Sequence, residues 1–123
     1  MKQKNSFAEK RLHTRVNTDL PIIIKTSDTR IKVIGTNLCC TGIHCDSYVH
    51  FPCNTKVQLS FKLPNKQNEF EYLMFNGVVI RVKEACLNLK ERKIYKIAIY
   101  FENLLPFESN ILKQYLNEEV SDT

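Results

Sequence analysis

Apolar and polar residues alternate with a period of two along most of this chain. The clearest stretch is Thr55 to Leu63, where Val57, Leu59, Phe61 and Leu63 alternate with Lys56, Gln58, Ser60 and Lys62. Successive side chains of a strand point to opposite faces, so the pattern predicts a strand with one buried face. Arg30 to Thr36 reads the same way, with Ile31, Val33 and Gly35 on one side. So do Ile97, Ile99 and Phe101 in a last strand. Leu20 to Lys25 is a β-branched run opened by Pro21, which a strand start accommodates. The residues before it, 1 to 18, read as a polar lead-in. Gly42 to Tyr48 is a weaker run. Phe70 to Lys83 is long, and Asn76-Gly77 is expected to interrupt it as a bulge or tight turn. Beyond that break, alternation places Val78, Ile80 and Val82 on one face and Val79, Arg81 and Lys83 on the other. Arg81 is thereby expected outside the core, facing ligand or solvent. Thr26 to Thr29 and Pro64 to Asn68 carry turn residues, and Glu84 to Lys93 reads as a polar connection.

Near the C-terminus the period changes. Phe107, Ile111, Leu112, Tyr115 and Leu116 are spaced as one face of a helix. Pro106 suits its first position, and Glu108 suits its positive first turn. About six short strands and one terminal helix in 123 residues predict an all-β fold. The expected architecture is a six-stranded antiparallel β-barrel with a C-terminal α-helix. Residues 1–8 are expected to form a basic arm, 9–118 the domain, and 119–123 an acidic tail.

Composition narrows the class. Charged residues at 25% and hydrophobic residues at 43% belong to a packed domain rather than a disordered chain. No apolar run is long enough to span a membrane as a helix, and no apolar segment follows the charged start as in a secretory leader. The expected compartment is the cytoplasm. Five cysteines, an odd number, fit reduced thiols better than a disulfide framework. Cys39, Cys40, His44 and Cys45 lie close in sequence, but no Cys-x-x-Cys pair or paired histidine spacing marks a metal site. No nucleophile elbow, phosphate-binding glycine loop or metallohydrolase helix motif is present, so no catalytic residue, cofactor or metal is expected. The acidic neighbours Glu69 and Glu71 make the face of Tyr72 and Phe75 poor for nucleic acid.

Two features stand out. The first is Arg11-Leu12-His13-Thr14-Arg15, in a lead-in where Lys2, Lys4, Lys10, Arg11 and Arg15 face Glu9 alone. Arginine offers a planar fork that pairs bidentately with phosphate or a guanine edge and stacks on flat rings. The second is Asn37-Leu38-Cys39-Cys40-Thr41-Gly42, between two strands. Asn37 can donate from its amide, and Gly42 permits either positive φ or close backbone approach.

In this order, Arg11/Arg15 followed by Asn37/Cys39/Gly42 resembles the paired signature of PilZ domains, Arg-x-x-x-Arg and then Asp/Asn-x-Ser-x-x-Gly. The likeness extends over roughly residues 9 to 116, through Val57 to Pro64, Gly77 to Val82, Tyr95 to Asn103 and the helix near Phe107 to Leu116. The resemblance implies a receptor for the bacterial second messenger cyclic di-GMP. Arg11 and Arg15 would grip phosphates and guanine edges, while Asn37, Cys39 and Gly42 would line the other side of the bases. Lys10, before the motif, is implied to influence how many ligand molecules bind. A chain of this kind would signal to a separate, unidentified effector protein. Cys39 replaces the serine usual in the family, and a thiol is a weaker hydrogen-bonding group than a hydroxyl. If that serine makes a direct bond, the change costs about 0.5–1.5 kcal/mol, roughly threefold to tenfold in affinity. The alternative is a degenerate PilZ-like protein-interaction module that no longer binds cyclic di-GMP.

Overall fold

The computed structural model describes residues 15–64, 67, 69–87 and 92–121; Lys10 and Arg11 lie outside them. Six antiparallel strands close into a barrel: β1 (Val16–Lys25), β2 (Arg30–Leu38), β3 (Gly42–Ser47), β4 (Lys56–Pro64), β5 (Phe70–Leu87) and β6 (Arg92–Glu102). Their order around the barrel is β1-β2-β3-β6-β5-β4, and β1 pairs with β4 to close it. One helix, α1 (Pro106–Ser121), follows.

Alternation explains the interior. Ile22 and Ile24, Val57 to Leu63, and Ile97 to Phe101 send every second side chain inward. Phe75 sits at the centre, its ring 5.6 Å from that of Phe61 and 4.9 Å from that of Phe101. Each fully buried side chain of this size contributes about 1.5–3 kcal/mol of burial energy. Leu112, Tyr115 and Leu116 of α1 join the same cluster. Phe107, expected on that helical face, instead lies 59% exposed in the first turn. Glu108 accepts a bond from the Leu105 N–H at 3.0 Å, satisfying a donor at the helix entry. The Thr26–Thr29 turn closes through a Thr26 N–H to Thr29 C=O bond of 2.8 Å.

Three local expectations are corrected. First, β1 begins at Val16 rather than Leu20. Its polar opening pairs with the end of β2, Val16 with Leu38 and Asn17 with Asn37, before a register shift towards Leu20. Cross-strand bonding, invisible to hydropathy, extends the strand into the polar lead-in. Second, Asn76-Gly77 does not break β5. Gly77 pairs with Val57 on one side and Phe101 on the other. A Cβ at Gly77 would lie 2.7 Å from Ile99 Cγ2, so the glycine serves close packing rather than a turn. Third, the interruption falls at Ile80, where the β5–β6 register shifts between Val79 and Arg81. Val79 is buried and Ile80 is 56% exposed, so the expected grouping of Ile80 with the inward residues is inverted. Val82 returns to pack against the core.

The bulge has a local cause. Asn54, at φ 73°, donates its N–H to the Val79 carbonyl at 2.6 Å, and Val79 donates to Thr55 O at 3.0 Å. Asparagine tolerates that left-handed backbone better than most residues. Val79 is thus bonded by the loop before β4 while it also pairs with Ile99 of β6. The extra residue is absorbed next door, as bulges do, and both Ile80 and Arg81 leave the core.

Candidate functional site

The bulge completes a row of outward side chains across four strands. Asn37 of β2 pairs with His44 of β3, His44 with Ala98 of β6, and Ala98 with Arg81 of β5. Ala98 is the small member of that row and only 7% exposed, so it forms a floor between His44 and Arg81. A cleft of about 240 Å³ opens above it. Arg15, at the foot of β1, reaches the same cleft, as do Cys39, Gly42 and Tyr100.

The structure therefore places four sequence-derived candidates, Arg15, Asn37, Cys39 and Gly42, around one concavity. Lys10 and Arg11, the other two candidates, lie outside the described residues. Asn37 donates its amide to Asn17 Oδ1 at 3.0 Å. That bond ties the start of β1, next to Arg15, to the end of β2. Cys39 is half-buried, with its Sγ 3.2 Å from Thr41 Oγ1. The turn holding it is tightly bonded. Cys39 N–H donates to Gly42 O at 3.0 Å, and Phe101 N–H donates to Thr41 O at 2.9 Å. Gly42 keeps a negative φ, so of its two possible roles close approach is the one realised. A Cβ there would collide with the Ile99 backbone carbonyl.

Electrostatics favour an anion. Burial, then the positive fields of Arg15 and Arg81, hold the His44 imidazole below its ordinary value. Both guanidiniums therefore act on the same point of the cleft. A second basin of about 270 Å³ adjoins the first and shares His44, Ala98 and Arg81 with it. Lys83 and Lys96 stand directly opposite each other there, and Lys96 meets Asp46 at 3.4 Å. Cys45, beneath this face, is buried and its thiol is pushed up to about 12, chiefly by desolvation. It is a neutral core residue, not a nucleophile. Among the described residues no group of three or more His, Cys, Asp or Glu is placed to hold a metal ion.

Sequence reasoning located Arg81 outside the barrel but missed His44, Ala98 and Tyr100. His44 could have been found as the outward residue two positions after Gly42. Ala98 could not, because its meaning depends on which residues lie across from it.

Neither a protein-family model nor a curated protein matches the sequence. Solved structures do match in fold. The Bacillus subtilis inhibitor of motility MotI/DgrA superposes with a TM-score of 0.76 at 18% identity, over 90% of this chain and 51% of that one. The PilZ domain of YcgR from Escherichia coli, determined with c-di-GMP, gives 0.68 at 12% identity, over 89% of this chain and 91% of that one. The K. pneumonia MrkH–c-di-GMP complex gives 0.64 at 9% identity, over 89% and 52%. The chain spans about half the length of the MotI/DgrA and MrkH chains. No helix among the described residues is long and apolar enough to cross a membrane. A six-stranded closed barrel, a terminal helix and likeness in fold to the YcgR PilZ domain together show that this chain has a PilZ-like fold.

Proposed function

We propose that this chain is a cyclic di-GMP receptor that binds its ligand in the cleft over Ala98 and acts through a partner protein rather than by catalysis. The observation that carries the reading is the gathering of Arg15 with Asn37, Cys39 and Gly42, over twenty residues further along the chain, around one positively charged concavity. Its likeness in fold to a PilZ domain determined with that ligand supports the assignment. An odd number of cysteines fits reduced thiols and supports a reducing compartment such as the cytoplasm.

The physics suits this ligand. Cyclic di-GMP carries two phosphodiester charges and two flat guanines. Guanidinium groups satisfy both kinds of surface, by bidentate bonds to phosphate or the O6/N7 edge and by stacking. Arg15 approaches from the foot of β1 and Arg81 from β5, so the dianion is held from two sides. Arg11 and Lys10 would close over it from the arm. Contact of Arg11 and Lys10 with the ligand would change the surface offered to an effector protein.

Two contacts favour the alternative of a degenerate module without ligand. Cys39 engages Thr41, and the Asn37 amide is given to Asn17. Calorimetry decides between them. Wild type is expected to bind cyclic di-GMP at micromolar affinity or tighter, and Arg15→Ala to lose at least tenfold, because charge-assisted bonds disappear. No heat of binding at about a hundred micromolar ligand and low salt, where binding of about 5 kcal/mol would register, overturns the receptor reading.

A further inference from the structure

We propose that His44 is an additional ligand-contacting residue of this cleft, and that a dianionic dinucleotide bound between Arg15 and Arg81 draws one proton from solution onto its imidazole. The inference rests on the cyclic di-GMP reading and adds a residue and a proton link to it.

The geometry comes from strand register. His44 is the second member of the row Asn37, His44, Ala98, Arg81, separated from Arg81 by the smallest side chain in that row. It lines both basins of the groove. Any ligand lying on the Ala98 floor between the two arginines meets the imidazole edge. The backbone beneath is fixed, since the His44 carbonyl accepts the Thr36 hydroxyl at 3.3 Å.

The charged and titratable groups around His44 can be named element by element. Arg15 faces it from the foot of β1 and Arg81 from β5. Lys83 of β5 and Lys96 of β6 lie one row along, and Tyr100 of β6 one row the other way. Cys39 lines the cleft from the turn. From β2 the neighbours are Thr36 and Asn37, which do not titrate. Asp46, two residues on along β3, is the carboxylate of this face, and it is joined to Lys96. Among the described residues, the free cleft is therefore a field of cations whose one carboxylate, Asp46, is already engaged. Burial and the two arginines disfavour the imidazolium there.

A bound dianion reverses that balance. Its two charges offset Arg15 and Arg81, and a phosphate oxygen becomes an acceptor for the imidazolium N–H. The proton is supplied by the buffer, and no covalent bond changes. Phosphodiesters and guanine keep their ionisation state through neutral pH, so the uptake is assigned to the protein. By linkage, ligand binding that raises the affinity for a proton must itself tighten as pH falls. The window runs from the free imidazole's lowered value up to its value in the complex. For one proton the affinity changes by at most about tenfold per pH unit.

Isothermal calorimetry with cyclic di-GMP reads this directly. The observed enthalpy is measured near neutral pH in buffers of low and high ionisation enthalpy, such as PIPES and Tris. Its slope against buffer enthalpy counts protons taken up. Wild type is expected to show a positive slope of up to one proton, vanishing about two pH units above the ordinary histidine value. His44→Gln, which keeps a polar side chain but does not titrate, is expected to bind more weakly than wild type, increasingly so as pH falls, and to lose both slope and pH dependence. Wild-type binding with zero slope overturns the inference while leaving the receptor reading intact. A slope that persists in His44→Gln assigns the proton elsewhere and overturns it too. Absence of wild-type binding removes the receptor reading itself.

Discussion

The two ends of β5 present outward faces of opposite character. At the near end, Phe70, Tyr72 and Met74 alternate strictly with the buried Leu73 and Phe75 and pair with β4. Their outer surface is apolar, with the Lys62 ammonium 4.7 Å from the Phe70 ring centroid and 5.8 Å from that of Tyr72. At the far end, past Val79, the strand pairs with β6, and its outward residues include Ile80, Arg81 and Lys83. The near end has large side chains throughout, so it is a filled sheet surface. The far end has a bulge on β5 and Ala98 across from it, so it is concave. On this barrel wall the concavity comes from a break in the alternation together with a small residue opposite the break. Exposed aromatic or basic side chains alone do not make one.

If that contrast is right, the concave end depends on the close approach of β3 to β6 and the near end does not. Gly42→Ala tests the dependence most severely. The added methyl meets the Ile99 carbonyl, which is backbone and cannot rotate away. Overpacking of this kind is expected to cost about 3 kcal/mol, roughly 10 °C in melting temperature, and to abolish cyclic di-GMP binding by spreading β3 from β6. A variant that melts and binds like wild type would break the comparison at its base. Arg81→Ala comes next. Removing a guanidinium over the floor is expected to lower cyclic di-GMP affinity at least tenfold in calorimetry while moving the melting temperature by less than about 2 °C, since Arg81 is exposed.

How far the sequence reveals this contrast depends on which end is read. Val57 to Leu63 and Ile97 to Phe101 could be placed from alternation alone, because burial of one face is a property of the strand itself. The helix could be placed from its period, apart from Phe107 in the first turn. The bulge at Ile80 could not. It arises because Asn54 and Thr55, over twenty residues earlier, bond to Val79, and no periodicity carries that information. Asn76-Gly77 looked like the break because glycine marks turns, whereas here it relieves crowding by Ile99. In the site, Arg15, Asn37, Cys39 and Gly42 were legible as an ordered motif. His44 was within reach as the outward residue two positions after Gly42, whereas Ala98 becomes meaningful only once β3, β6 and β5 are in register.

Cys39→Ser sharpens the concave end by a smaller step. The Cys39 sulfur already lies beside the Thr41 hydroxyl at 3.2 Å, so a serine oxygen fits without repacking. A hydroxyl donates and accepts more strongly than a thiol. Affinity for cyclic di-GMP is expected to rise about threefold to tenfold by calorimetry, the worth of about one neutral hydrogen bond. Unchanged affinity would mean that the bond is spent on Thr41 and that the position does not read the ligand.

The smallest effect belongs to the near end. Lys62→Ala removes the ammonium over Phe70 and Tyr72, and Tyr72 is 81% exposed. A cation over a solvated ring is worth about 0.5–1 kcal/mol, so the chemical-denaturation midpoint is expected to fall slightly with an unchanged slope. Cyclic di-GMP affinity is expected to stay within twofold of wild type at low salt, where a distant positive charge would have its largest influence. Lys62 and Arg81 are both exposed cations on the outer wall, on paired strands, and they differ chiefly in what lies beside them. Lys62 stands over bulky rings, and Arg81 stands over an alanine. If Lys62→Ala weakened binding as much as Arg81→Ala, long-range charge rather than concavity would govern recognition, and the cleft over Ala98 would lose its special standing.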